Sequence, residues 1–136
     1  MGFEIFVNVW QNGEESTISR AEVRSLFPVR QEEWESDLWT LEYDAQNTCV
    51  IYLNTVDGNP TQITGLCIER PCGDLRLWNA LAEILRLGNV AVVWPGGPVV
   101  ISGQAVHSHL PAGMLEDEPP QYASSGEEIL TLVRSS

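Results

Sequence analysis

Lysine is absent from this chain of 136 residues. All seven basic residues are arginines, set against 19 Asp and Glu, which gives a net charge of −12 at pH 7. The absence excludes chemistry built on an ε-amino group: Schiff bases, phosphate-loop lysines and pyridoxal phosphate anchors. The negative excess repels nucleic acid and anionic membrane, and it draws in basic surfaces over a distance.

Cysteine is scarce too, with only Cys49, Cys67 and Cys72. Their odd number and wide spacing argue against a disulfide framework and fit a reducing compartment. Cys67 and Cys72 flank Arg70-Pro71 and form neither a C-x-x-C redox motif nor a zinc knuckle. Long hydrophobic runs are also missing. The longest, Val90 to Ile101, is broken by Pro95-Gly96-Gly97-Pro98 and is too short to span a bilayer. Met1-Gly2-Phe3-Glu4 has neither a basic n-region nor a cleavage site, and Phe6 stands where a myristoylation motif wants Ser or Thr. The expectation is a soluble, cytoplasmic protein without a cofactor.

What is present suffices for a core. Hydrophobic residues make up 43% of the chain and include five Trp, so the charge does not imply disorder. At this length one domain is expected, residues 1–136, burying about two-thirds of the unfolded surface.

Gly2 to Trp10 reads as a strand, closed by the turn signal Asn12-Gly13. Ser19-Arg20-Ala21-Glu22 is a capping box that opens a short helix to about Phe27. The second half of Gln31 to Asp44 reads as a strand with Trp39, Leu41 and Tyr43 on one face. Thr48 to Leu53 and Thr61 to Glu69 follow as strands around Asp57-Gly58-Asn59-Pro60, which makes an antiparallel meander. Asp74 to Leu87 has apolar residues around most of its circumference, which predicts a long, largely buried helix capped by Gly88-Asn89. Strands are expected at Val90–Trp94 and Val99–Ser102, one helical turn near Leu110–Leu115, and a short strand at Gln121–Ser124. Ser125-Gly126-Glu127-Glu128 is a second capping box, before a helix carrying Ile129, Leu132 and Val133. The expected fold class is α+β: a mainly antiparallel sheet of about five to six strands, one long buried helix, and shorter helices in the N- and C-terminal halves.

Several residues could carry chemistry. Cys72 precedes Asp74, the expected helix N-cap, where a thiolate would be favoured; the plainer reading is a cysteine packed at a turn, and the Asp74 charge opposes a thiolate there. His107 and His109 form H-x-H, which on a strand would aim both rings one way, toward a shared metal; the alternative is a loop pair. Trp94-Pro95-Gly96-Gly97-Pro98 could offer amides to an anion or be a stiff hairpin. Glu4, Glu42 and Glu69 alternate with apolar neighbours and should face solvent.

The segment Gln31 to Asp44 stands out. Glu32, Glu33, Glu35 and Asp37 surround Trp34, which lies ahead of the strand and is the aromatic expected at the surface. Charge would steer a basic partner and Trp34 would anchor it; a solvated acidic edge is the plainer reading. The leading expectation is a binding protein with a basic protein partner, an inhibitor, immunity or antitoxin-like protein, using Glu32, Glu33, Trp34, Glu35 and Asp37. Two other readings stand beside it: a small enzyme using Cys72 or the His107/His109 pair, and a homodimeric structural or adaptor subunit. No catalytic set and no metal site is assigned.

Overall fold

The computed structural model describes residues 3–136; Gly2, which opens the first expected strand, lies outside them. Strand β1 (Glu4–Gln11) alternates cleanly: Ile5, Val7 and Val9 are buried, while Glu4 and Phe6 are exposed. It folds back through Asn12-Gly13 onto β2 (Glu14–Glu15), pairing Gln11 with Glu14. Both turn residues have positive φ, 51° and 83°, the backbone of a two-residue turn that matches strand twist and selects Asn-Gly. Next come β3 (Ile18–Ser19) and α1 (Arg20–Arg24), whose N-cap Ser19 accepts the Glu22 amide at 3.2 Å.

The meander follows as β4 (Val29–Glu33), β5 (Leu38–Asp44), β6 (Asn47–Val56) and β7 (Asn59–Glu69). Helix α2 (Leu75–Ile84) leads to β8 (Val90–Val93) and β9 (Val100–Ile101). Then come α3 (Gln104–His107), a 3₁₀ turn at Ala112–Leu115, β10 (Gln121–Tyr122) and α4 (Gly126–Arg134). One sheet holds all ten strands, in the order β10-β9-β8-β1-β7-β6-β5-β4, with β2 on β1 and β3 on β7. Every pairing is antiparallel except β9 with β10.

Two parts of the expected fold are corrected here. The sheet has ten strands, not five or six, and it is mixed. The strands with no expected counterpart are β4 and the two-residue β2 and β3, which local periodicity is too short to reveal. The second correction is the helix. α2 has ten residues, and among the described residues there are four α-helices, all short, and no long buried one. Beyond Ile84 the chain tightens: Arg86 and Leu87 donate to Glu83 and Ile84, three residues back, so the apolar pattern runs on in 3₁₀-like turns. α2 also has a wet face, with Leu75, Arg76, Asn79 and Glu83 exposed.

The main core lies on one face of the sheet. Val7, Trp39, Leu41, Ile51 and Ile68 from the strands meet Val23 of α1, Leu77, Trp78 and Leu81 of α2, and Ile129 of α4. The other face is covered only at one corner, where Ala91, Ile101, Val106 and Leu110 form a small cluster under Trp10 and Met114.

The second capping box starts α4, which packs closely on α2. Ser125 Oγ accepts the Glu128 amide at 3.2 Å, and Glu128 reaches back to the Ser124 amide and hydroxyl at 3.1 and 2.7 Å. A Cβ on Gly126 would collide with Asn79 and the backbone of Trp78. Gly126→Ala should therefore cost about 1–3 kcal/mol, the cost of forcing atoms into a packed contact. Leu81→Ala, at a site with no solvent exposure, should cost about 2–5 kcal/mol. Denaturant unfolding checks both; a loss under about 0.5 kcal/mol is the size of a surface change and would place either residue outside the core.

Candidate functional site

Arg20 is the only buried charged residue among those described, at 2% exposure. It opens α1, and its guanidinium bonds to β4, to β7 and to the turn between β4 and β5. One nitrogen donates to Asp37 Oδ1 and to the Pro60 carbonyl, both at 3.2 Å; the other donates to Glu32 Oε2 at 3.4 Å. The partners are themselves held. Glu32 accepts the indole N–H of fully buried Trp39 at 2.7 Å and the Arg24 Nε at 3.1 Å. Asp37 accepts the Thr55 hydroxyl at 2.9 Å. Asp37 has φ of 50°, a left-handed conformation that Asp tolerates better than most residues, and its two carboxylate bonds fix it there.

The turn Trp34-Glu35-Ser36-Asp37 joins β4 to β5 over this cation. The Trp34 ring lies on Arg20, with the guanidinium carbon 3.7 Å from the ring centroid, in cation–π contact. The outer face of the ring stays open: Trp34 is 53% exposed, more than any other large hydrophobic residue described. Glu33 and Glu35 flank it and are exposed.

The acidic segment therefore divides. Glu32 and Asp37 point inward and hold Arg20. Glu33, Trp34 and Glu35 face solvent. Arg20 was not singled out from sequence; an arginine just after an N-cap carries no local mark of burial. The only hint was a surplus of acids in a segment, Gln31 to Asp44, that holds no arginine; Arg30, just before it, pairs with Glu42 at 3.4 Å.

The structure separates the other candidates. Cys72 lies where β1 begins: Arg70, two residues earlier, donates its amide to Phe3. His109 lies where β1 ends, its Nδ1 accepting the Asn12 amide at 3.1 Å. An eight-residue strand stands between them, about 26 Å, so the cysteine and the histidine do not meet. His107 ends α3, so the pair does not lie on a strand, the geometry that would aim both rings one way.

Cys72 instead packs beside Cys49 and Tyr43 at the core margin. Its carbonyl accepts the Trp78 indole N–H at 3.1 Å. Burial pushes the Cys49 thiol up to about 12 and raises the Tyr43 phenol as well. Burial, and then the Glu4 carboxylate at 3.2 Å, push Cys67 up to about 12. In the Trp94–Pro98 turn, Gly97 lies against the Trp94 indole, where a Cβ would clash. That glycine makes room for a ring, a structural task. Glu4 and Glu69 are exposed and Glu42 half-exposed, all on the face away from the main core.

No protein-family model, no curated protein and no solved structure matches the chain.

Removing Arg20 would leave two carboxylates without their cation and the Trp34 ring without its support. Arg20→Ala should cost about 3 kcal/mol, the low end for breaking a buried ion pair from one side. It should also loosen Trp34, seen as a drop in tryptophan fluorescence anisotropy below the unfolding transition. Wild-type stability would show that the network contributes nothing net.

The N-cap of α2 sets an acid limit. Hydrogen bonds from Arg76 hold the Asp74 carboxyl down at about 2, against an ordinary 3.8. A depressed acid contributes stability above its ordinary value and loses it as pH falls through the folded one. The stability gap between wild type and Asp74→Asn should thus narrow as pH falls from about 4 to about 2. Urea midpoints at each pH check this; a constant gap would show that the charge of Asp74 is not what matters.

Proposed function

We propose that this protein is an acidic binding partner that covers a basic surface of another protein, in the manner of an inhibitor, immunity or antitoxin-like protein. One observation carries the reading: Trp34 stands half-exposed between Glu33 and Glu35 with its inner face fixed on Arg20. An aromatic already held in place loses little freedom on binding, so more of its contact energy is kept. Carboxylates around it speed the encounter with a cation-rich surface, and a buried Trp then slows departure.

The charge distribution supports the same reading. Five of the seven arginines sit on carboxylates of the chain itself, and 19 acids far outnumber them. Most carboxylates are left without an internal cation. A partner that normally engages a polyanion would meet a competing polyanionic surface here. We place this action in the cytoplasm, a reducing compartment that suits three unpaired cysteines. Among the described residues, no helix is long and apolar enough to cross a membrane.

The test starts with affinity capture at low salt and proceeds to surface-binding kinetics with the captured partner. Glu33→Arg with Glu35→Arg should slow association about tenfold at low salt and flatten its salt dependence. Trp34→Ala should mainly speed dissociation, by about tenfold or more. Circular dichroism should stay native for both, because all three side chains face solvent. Wild-type kinetics in both variants would remove this turn as the interface.

A further inference from the structure

Five of the strand pairings bring six residues into one row across the face of the sheet opposite the main core. Val93 of β8 pairs with Phe6 of β1, Phe6 with Cys67 of β7, Cys67 with Tyr52 of β6, Tyr52 with Leu38 of β5, and Leu38 with Glu33 of β4. Directly paired residues of antiparallel strands lie on the same face, so this is one continuous band. Phe6 and Tyr52 are 37% and 42% exposed. All helices that bury the main core lie on the other side, and the small cluster under Trp10 covers only the corner beyond Val93.

Beside this band Glu4 and Glu69 pair directly across β1 and β7. Like charges set opposite each other destabilise a sheet, and neither carboxylate has an arginine within 4.0 Å among the described residues. The two also wall a cleft of about 830 Å³ together with Phe6, Phe3, Pro71, Pro95 and Arg70. The Glu69 carboxylate raises the Tyr52 phenol, which places it against the aromatic band as well.

We propose that this open sheet face is a second docking surface for the same basic partner, taking a segment in which aliphatic or aromatic side chains alternate with Arg or Lys. The proposal rests on the reading given under Proposed function. Apolar side chains of the segment cover Phe6, Tyr52 and Leu38. A long cationic side chain enters the cleft, lays its methylenes on Phe3 and Phe6, and brings its charge between Glu4 and Glu69. The band ends at Glu33, the residue before Trp34, so the two surfaces are continuous and one partner can span both. A second copy of this chain fits poorly: it would set Glu4 and Glu69 of both copies face to face, between molecules that each carry −12. An anionic membrane is repelled for the same reason.

The probe is a synthetic peptide of alternating Leu and Arg, titrated into the ¹⁵N-labelled protein and followed by amide chemical shifts. A charge-matched Gly–Arg peptide and a neutral Leu–Ser peptide serve as comparisons. Saturable shifts are expected at Phe6, Tyr52 and Leu38 with the Leu–Arg peptide, and binding about tenfold or more weaker with either comparison peptide. Phe6→Ser with Tyr52→Ser should weaken Leu–Arg binding by a similar factor. Glu4→Gln with Glu69→Gln, which keeps side-chain shape and so guards against a folding artefact, should weaken it most at low salt. Saturable shifts confined to Glu33–Asp37 would overturn the sheet-face proposal and leave the acidic-binder reading standing. No saturable binding of either Arg peptide would overturn both. A dimer in sedimentation that Phe6→Ser with Tyr52→Ser dissociates would assign the face to a second copy instead.

Discussion

One buried guanidinium ties half of this sheet together. Arg20 belongs to a five-residue helix, yet its bonds end on β4, β7 and the turn between β4 and β5, and through Asp37 they reach Thr55 of β6. Placing such a cation out of water is costly unless every donor finds a good acceptor. Here most do, although Nε is left without a partner. The arrangement makes the acidic residues of β4 interdependent with elements distant in sequence. It also explains why a strand as polar as Val29–Glu33 pairs at all: its neighbour β5 supplies the ladder, and Arg20 supplies the counter-charge.

The same economy shapes the outside. Arg24 joins Arg20 on Glu32, Arg30 sits on Glu42, Arg76 on Asp74 and Asp44, and Arg86 on Glu83. The arginines are thus largely consumed as internal ties. The surface presented to another molecule is more uniformly negative than the ratio of acids to bases alone conveys. Its exposed large apolar side chains include Trp34 at the turn and Phe6 and Tyr52 on the open sheet face, with Leu75 and Tyr122 elsewhere.

The sequence was readable wherever a signal acts within a few residues. Asn12-Gly13 specified a tight hairpin, Ser19, Asp74 and Ser125 marked three helix starts, and the alternation of Ile5, Val7 and Val9 gave the buried face of β1. It was unreadable where the cause lies far along the chain. β4 has one apolar residue in five, so nothing local identifies it. The two-residue strands β2 and β3 exist only because a partner lies alongside. The periodicity of α2 continued to Leu87 because 3₁₀-like turns also return apolar residues to the core, and that hid the helix end. The candidate site was half legible. Trp34 was expected at the surface and is there, with Glu33 and Glu35 beside it. Glu32 and Asp37 looked the same as their neighbours in sequence, and only the arginine 12 and 17 residues upstream distinguishes them.

The position of β1 in the strand order sets a kinetic problem for the nascent chain. This strand leaves the ribosome before every other strand of the sheet, yet Phe6 finds its neighbours only in Cys67 and Val93. Synthesis at roughly 5–20 residues per second leaves Ile5, Val7 and Val9 unpaired for seconds before either flank exists. The meander β5–β6–β7, linked by short turns, closes early with little loop entropy. β1 must then insert beside β7, and β8, followed by β9 and β10, must be added to its other edge. Folding should therefore be slow for a protein of this size, with an aggregation-prone interval in which an apolar strand waits for its slot.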